Sequence, residues 1–226
     1  MSSPPPDAPA ILPIFATPLA VVSLEGMLGR NAELTALFRT RTSEDYRDPA
    51  APADPRCFRS REDLFEWPVE SAVHLRRQML GGICAAVRAV NTYPDAEFDA
   101  LAVQALARFV IVRPDGCVPA ATAPMASWYA VYCVAAPPAA PARADSGTVR
   151  LYGVRNGTMF LDAANYQLRP PFETAHQIWR PVPGRMVVFP ASILHEVALN
   201  RTDAELLLVA ARVRFVHSTQ KPLATW

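Results

Sequence analysis

Four histidines, His74, His176, His195 and His217, are the side chains of this 226-residue chain best suited to hold a metal or move a proton near neutral pH. His195 lies in Leu194-His-Glu-Val197, shortly after Pro190. There an imidazole reads either as a metal ligand or general base, or as a ring that packs and hydrogen-bonds beneath the proline turn. His176, in Glu173-Thr-Ala-His-Gln177, sits in a loop that could swing inward and form a site with Glu173 or Asp162. His74 falls on the half-exposed face of a helix, and His217 follows the last strand. No histidine separates His74 from His176, and Asp115 stands in Pro114-Asp-Gly116, where a tight turn wants an aspartate anyway.

A cation and four thiols complete the inventory. Strand alternation puts Leu206, Leu208, Ala210 and Arg212 on one face. If that face is interior, the guanidinium needs an anion or a polar opening, which makes Arg212 a candidate anion anchor; the other reading is a strand-end arginine whose head reaches solvent. Cys57, Cys84, Cys117 and Cys133 form no C-x-x-C pair and read as reduced thiols of a cytoplasmic protein. A thiol–histidine nucleophile built from Cys117 or Cys133 with His195 is disfavoured, because a cysteine between Tyr132 and Val134 in a strand is ordinarily a small core residue. Trp128, Tyr129, Trp179 and Phe189 read as core or pocket wall.

These residues must be positioned by helices first and strands afterwards. A Pro-rich tail over 1–13 precedes an extended segment, Ile14 to Leu24. Asn31 suits the N-cap of a helix carrying Leu34, Leu37 and Phe38. Residues 47–56 read as a loop. Leu75, Met79, Ile83, Val87 and Val90 recur at helical spacing over Ser71 to Val90, with Pro68 near the start and the Gly81-Gly82 pair as a weak point. An Ala-rich helix is expected over Ala96 to Ala105. From residue 106 the period becomes two, predicting strands at Arg108–Arg113, Ser127–Val134, Gly147–Tyr152, Met186–Phe189 and Glu205–Val216. Residues 135–146, rich in Ala and Pro, read as a mobile loop. The expected organisation is one domain over 14–216, with a helical buttress over 31–105, a β core over 106–216 and a tail over 217–226.

Composition narrows the partners. Hydrophobic residues make up 51% of the chain and charged ones 19%, enough apolar matter for one good core. With 22 Lys plus Arg against 21 Asp plus Glu, no bulk field draws nucleic acid or anionic lipid. No run approaches the ~20 apolar residues of a membrane span. Neither nucleic acid nor membrane is therefore expected, and a partner must be chosen by a local site.

Several segments together resemble the 2-oxoglutarate/iron(II) oxygenases. Ile14-Phe-Ala-Thr-Pro-Leu19 resembles that family's opening Phe-x-Thr-Pro strand, and Arg59-Ser-Arg-Glu-Asp-Leu64 its Ser-x-x-Asp-Leu before the first long helix. Tyr129-Ala-Val-Tyr-Cys-Val134 is similar to its Ser-Gly-Val-Tyr-Tyr-Val strand. Pro183-Gly-Arg-Met-Val-Val-Phe-Pro-Ala-Ser-Ile-Leu-His195-Glu-Val197 is similar to its Pro-Gly, Phe-Pro, Leu-x-His-x-Val block. The resemblance implies a mainly β fold with N-terminal helices, a double-stranded β-helix of jelly-roll, cupin-like form. It also implies a site where two imidazoles and usually a carboxylate hold ferrous iron and a late cation anchors 2-oxoglutarate.

By that resemblance His195 is the late ligand, while the near-side ligand positions carry Ala121 and Ala123 and the anchor position, eleven residues after His195, carries Leu206. Arg155 falls in the family's Asp-Pro-Arg element, whose Asp is Gly153 here. Tyr132, Arg155 and Arg212 are the expected ligand-binding residues, and no catalytic residue is named. One imidazole cannot retain ferrous iron. The chain is thus expected to be a non-catalytic or atypical relative, without a cofactor, whose barrel mouth takes a small molecule or a partner protein. The alternative is an active hydroxylase of a small metabolite or peptide, using iron and 2-oxoglutarate on His195 with His176, Asp162 or Glu173.

Overall fold

Alternation of apolar side chains between two faces, the reading that predicts strands from residue 106 onward, runs through almost all of the C-terminal half. The computed structural model describes residues 16–138, 145–153, 163, 168–169, 171–173 and 176–217. In chain order these form β1 (Ala20–Ser23), α1 (Asn31–Thr40), β2 (Cys57–Arg59), α2 (Glu70–Arg88), α3 (Asp95–Asp99), β3 (Leu101–Val112), β4 (Val118–Ala121), β5 (Trp128–Ala135), β6 (Val149–Tyr152), β7 (Gln177–Trp179), β8 (Arg185–Pro190), β9 (Leu194–Val197) and β10 (Leu206–His217). Short 3-10 turns at 25–30, 44–46 and 64–66 join the early elements. The terminal segments 1–15 and 218–226, and 139–144 of the predicted mobile loop, lie outside the described residues.

Two antiparallel sheets face each other. One has the order β1-β8-β5-β10-β3-β2, the other β4-β9-β6-β7. Because consecutive residues of a strand point to opposite faces, the larger sheet serves two cores. Phe109, Ile111, Ala130, Tyr132, Val188, Val209 and Ala211 pack under the helices with Leu34, Phe38, Leu75, Met79 and Ile83. Val110, Val112, Val131, Cys133, Val187, Phe189, Leu206 and Leu208 pack against Val149, Leu151, Trp179 and Val197 of the smaller sheet. Mainly β structure, two antiparallel sheets and an N-terminal helical layer are the double-stranded β-helix that the family resemblance implies.

Three local expectations are corrected. The Ala-rich stretch is a helix only over Asp95–Asp99; from Leu101 it is strand, paired with β10 along its whole length from Leu101↔His217 to Val112↔Leu206. A twelve-residue partner outweighs the helical preference of a few alanines. Asn31 does not cap α1 with its side chain; it occupies the first helical position, and its Oδ1 accepts a 2.8 Å hydrogen bond from the buried Tyr132 hydroxyl. The Gly81-Gly82 pair is not uniformly weak. A Cβ on Gly82 would come within 2.8 Å of Met186 and 3.1 Å of Val22, so α2 uses that glycine to approach the sheet, while Gly81 faces open space.

Candidate functional site

His195 is placed by β9, which runs between β4 and β6. Its register partners are Ala121 on one side and Leu151 on the other. Leu151 belongs to the core between the sheets, so His195 shares that inward face. Its ring lies 4.4 Å from the Tyr129 ring and 5.1 Å from that of Phe189, centroid to centroid. Nδ1 sits 2.9 Å from the Ile193 carbonyl, to which it donates. Burial lowers the His195 pKa from its ordinary 6.5, only partly offset by that bond. The imidazole is therefore mostly neutral at pH 7, with its proton on Nδ1 and Nε2 as the acceptor nitrogen, the form a metal ligand or general base takes.

The neighbours needed for iron are of other types. Ala121, the residue paired with His195, offers a methyl group, and Ala123 is buried with its amide bonded to the Ala191 carbonyl at 3.0 Å. No group of three His, Cys, Asp or Glu side chains that could hold a metal occurs among the described residues. Deeper between the sheets, Leu206 and Leu208 are 1% and 2% exposed and pack among Val112, Val131, Cys133 and Trp179. The anchor position is thus embedded in hydrocarbon, where a carboxylate would meet no cation. Among the described residues, the side chains beside His195 do not make up a donor set for iron with 2-oxoglutarate.

Of the proposed partners of His195, the structure sets His176 apart from it. His176 precedes β7, exposed, with its ring 5.9 Å from that of Tyr152. Tyr152 bonds Glu196 and is one residue out of step with the inward Leu151, so His176 lies on the outer side of the smaller sheet while His195 faces inward. Glu173 accepts a 3.3 Å bond from Gln177. Asp162 and Arg155 lie outside the described residues. Tyr132 does not line the opening: three residues from Tyr129, it points to the opposite face of β5, is fully buried under the helices and bonds Asn31, with burial pushing its pKa up to about 12. Cys133 is buried, with its pKa pushed to about 12, far from thiolate at neutral pH. All four cysteines are free.

Arg212 is where alternation puts it, on the inward face of β10 beside Tyr129, but it does not stand by itself. It pairs with Glu62, and Glu62 also pairs with Arg108, whose other guanidinium nitrogen takes Asp48. Arg59, across from Val110 on β2, is the third arginine on this face and takes part in none of these ion pairs. Burial raises the Tyr129 phenol pKa, while Arg108, Arg59 and Arg212 lower it and Glu62 raises it, so the ring spans from His195 to the charged cluster. Sequence reasoning missed Arg59, Arg108, Asp48 and Glu62. Parity could have found one of them, since Arg108 shares the face of Val110 and Val112; the carboxylates come from loops about 46 and 60 residues away in sequence.

No family model matches the sequence, and no curated protein matches it. Solved structures do. A prolyl-4-hydroxylase from Pseudomonas putida superposes with a TM-score of 0.59 at 16% identity, covering 87% of this chain and 91% of its own. AviO1 from Streptomyces viridochromogenes gives 0.58 at 14% identity, with 92% and 94% covered. HygX from Streptomyces hygroscopicus, determined with nickel and 2-oxoglutarate bound, gives 0.56 at 14%, with 88% and 83% covered. The fold is that of the 2-oxoglutarate/iron(II) oxygenases.

Proposed function

We propose that this chain is a 2-oxoglutarate oxygenase-like protein that uses its barrel mouth to bind a small molecule or a partner rather than to oxidise one. The reading is carried by the register of β4 on β9, which sets Ala121 against His195 where a second donor would have to stand. One imidazole leaves ferrous iron mostly to water, because affinity in such sites comes from several donors held in fixed geometry. The buried Leu206 supports the same reading, since neither metal nor co-substrate finds its usual chemistry.

The test is anaerobic addition of ferrous iron and 2-oxoglutarate, followed by metal analysis and the visible charge-transfer spectrum. The unaltered protein is expected to bind less than a tenth of an equivalent and to show no band. Ala121→His with Ala123→Asp, which supplies two donors beside His195, is expected to gain iron binding. Stoichiometric iron with the band in the unaltered protein overturns the proposal and establishes the oxygenase alternative.

A further inference from the structure

We infer that the barrel mouth takes a small planar aromatic molecule carrying an O–H or N–H donor, a phenol or an indole, which bonds to His195 Nε2 while its ring lies against Tyr129. The inference deepens the binding reading above and rests on it. Its first support is an acceptor fixed in one tautomer. Nδ1 stands 2.9 Å from the Ile193 carbonyl, which can only accept, so the ring proton is on Nδ1 and the free lone pair of the neutral ring is on Nε2. Nε2 has no hydrogen-bond partner among the described residues, yet it is not one of their buried unpaired atoms, as His74 Nε2 is. It therefore reaches solvent, and can exchange a water for the donor of a ligand.

The second support is the surface around that atom. The rings of His195, Tyr129 and Phe189 form a triad, with centroids 4.4 Å apart for His195 and Tyr129, 5.1 Å for His195 and Phe189, and 5.6 Å for Tyr129 and Phe189. Phe189 is 1% exposed and backs the other two, neither of which is fully buried. Ala121, the register partner of His195, is exposed and sets only a methyl group beside the imidazole. Aromatic rings gathered around one polar atom suit a flat apolar body with one polar group, because tilted and offset ring contacts add to simple burial.

The acceptor also selects the polar group. An O–H or N–H satisfies Nε2, whereas an ether or ketone leaves its lone pair with neither water nor partner once the mouth is covered. A carboxylate brings no donor at neutral pH, and its charge would have to draw Arg212, the residue across the strand from Tyr129, away from Glu62. The inferred ligand thus differs in charge and in shape from the 2-oxoglutarate implied by the family resemblance.

The experiment is a nuclear magnetic resonance titration of the full chain, in a chelating buffer that keeps iron out, with para-cresol, its methyl ether, and para-toluate. The cresol is expected to bind at least about fivefold more tightly than the ether or the acid, and to shift the Nε2 resonance of His195. His195→Phe, which keeps a ring and removes the acceptor, is expected to erase the preference for cresol over ether. Ala121→Leu, which fills the space beside the imidazole, should weaken the cresol about tenfold, and Gly81→Ala, on the open side of α2, should change nothing. Equal or tighter binding of the ether or the acid, no binding of the cresol, an unmoved Nε2 resonance, indifference to Ala121→Leu, or a preference that survives His195→Phe overturns the inference. Should His195→Phe fail to fold, the cresol-to-ether ratio and the Nε2 shift on the unaltered protein decide. Iron uptake in the separate anaerobic test would sink the non-oxidative reading while leaving this metal-free titration interpretable.

Discussion

His195 and Glu62 are the two side chains on which the chemistry of the mouth turns. Burial favours the neutral imidazole in the folded state, so the folded protein takes up this proton less readily than the unfolded chain, whose histidine titrates near 6.5. The stability tied to it is present above pH 6.5 and falls as pH drops below that value. The expected outcome is a melting temperature that declines from pH 7 to pH 5, with a shallower decline in His195→Gln; equal slopes would contradict it. Glu62 is shared by Arg108 and Arg212. Glu62→Gln strips both of their common counter-ion and should cost about 2 kcal/mol in urea denaturation, below the full buried-pair value because the groups are partly exposed.

At the scale of elements, α2 shows how neighbouring glycines can do different work. Gly81 faces solvent and nothing crowds it, so Gly81→Ala should stabilise by about 0.5–1 kcal/mol through helix propensity and loss of freedom in the unfolded chain. Gly82 is where α2 meets Met186 of β8 and Val22 of β1. Gly82→Ala must displace them, and its melting midpoint should fall below that of Gly81→Ala by the equivalent of ~1 kcal/mol or more. Strand parity is the element-level reason for the misassigned tyrosine. Tyr129 and Tyr132 share a strand and a residue type, yet an odd separation sends one to the mouth and the other under the helices. The motif resemblance names the strand but not its phase. Likewise Leu101, Val103 and Ala105 carry a two-residue period that the Ala-rich composition around them obscures until β10 supplies partners.

For the molecule as a whole, the larger sheet is the common wall of both cores, and Phe109 is its most connected point on the helical side. Its ring stacks on Phe38 at 4.4 Å, lies 5.5 Å from Phe58 and meets the edge of Trp67 at 6.0 Å. Phe109→Ala should lower unfolding free energy by about 3–5 kcal/mol and shift the whole denaturation curve, far-ultraviolet and tryptophan signals together. The longer strands from residue 106 were legible because alternation is local, whereas β4, β7 and β9, three or four residues each, are too short to show a period. His195 and Ala121 were both named from the motif resemblance, but that they stand side by side is visible only in the register of β4 on β9. The charged cluster was not legible. Asp48, Glu62, Arg108 and Arg212 meet only after four segments fold together, and no window of sequence contains them.

Strand β5 has no side facing water along its middle: Tyr129, Val131 and Cys133 look into one core, Ala130, Tyr132 and Val134 into the other. Evolution therefore cannot retune the ligand opening without negotiating with the helical layer behind it, since any shift of this shared spine is transmitted through the Tyr132 phenol to the start of α1. Sequence drift at Asn31 should accordingly leave its mark on what the far side of the wall can accept.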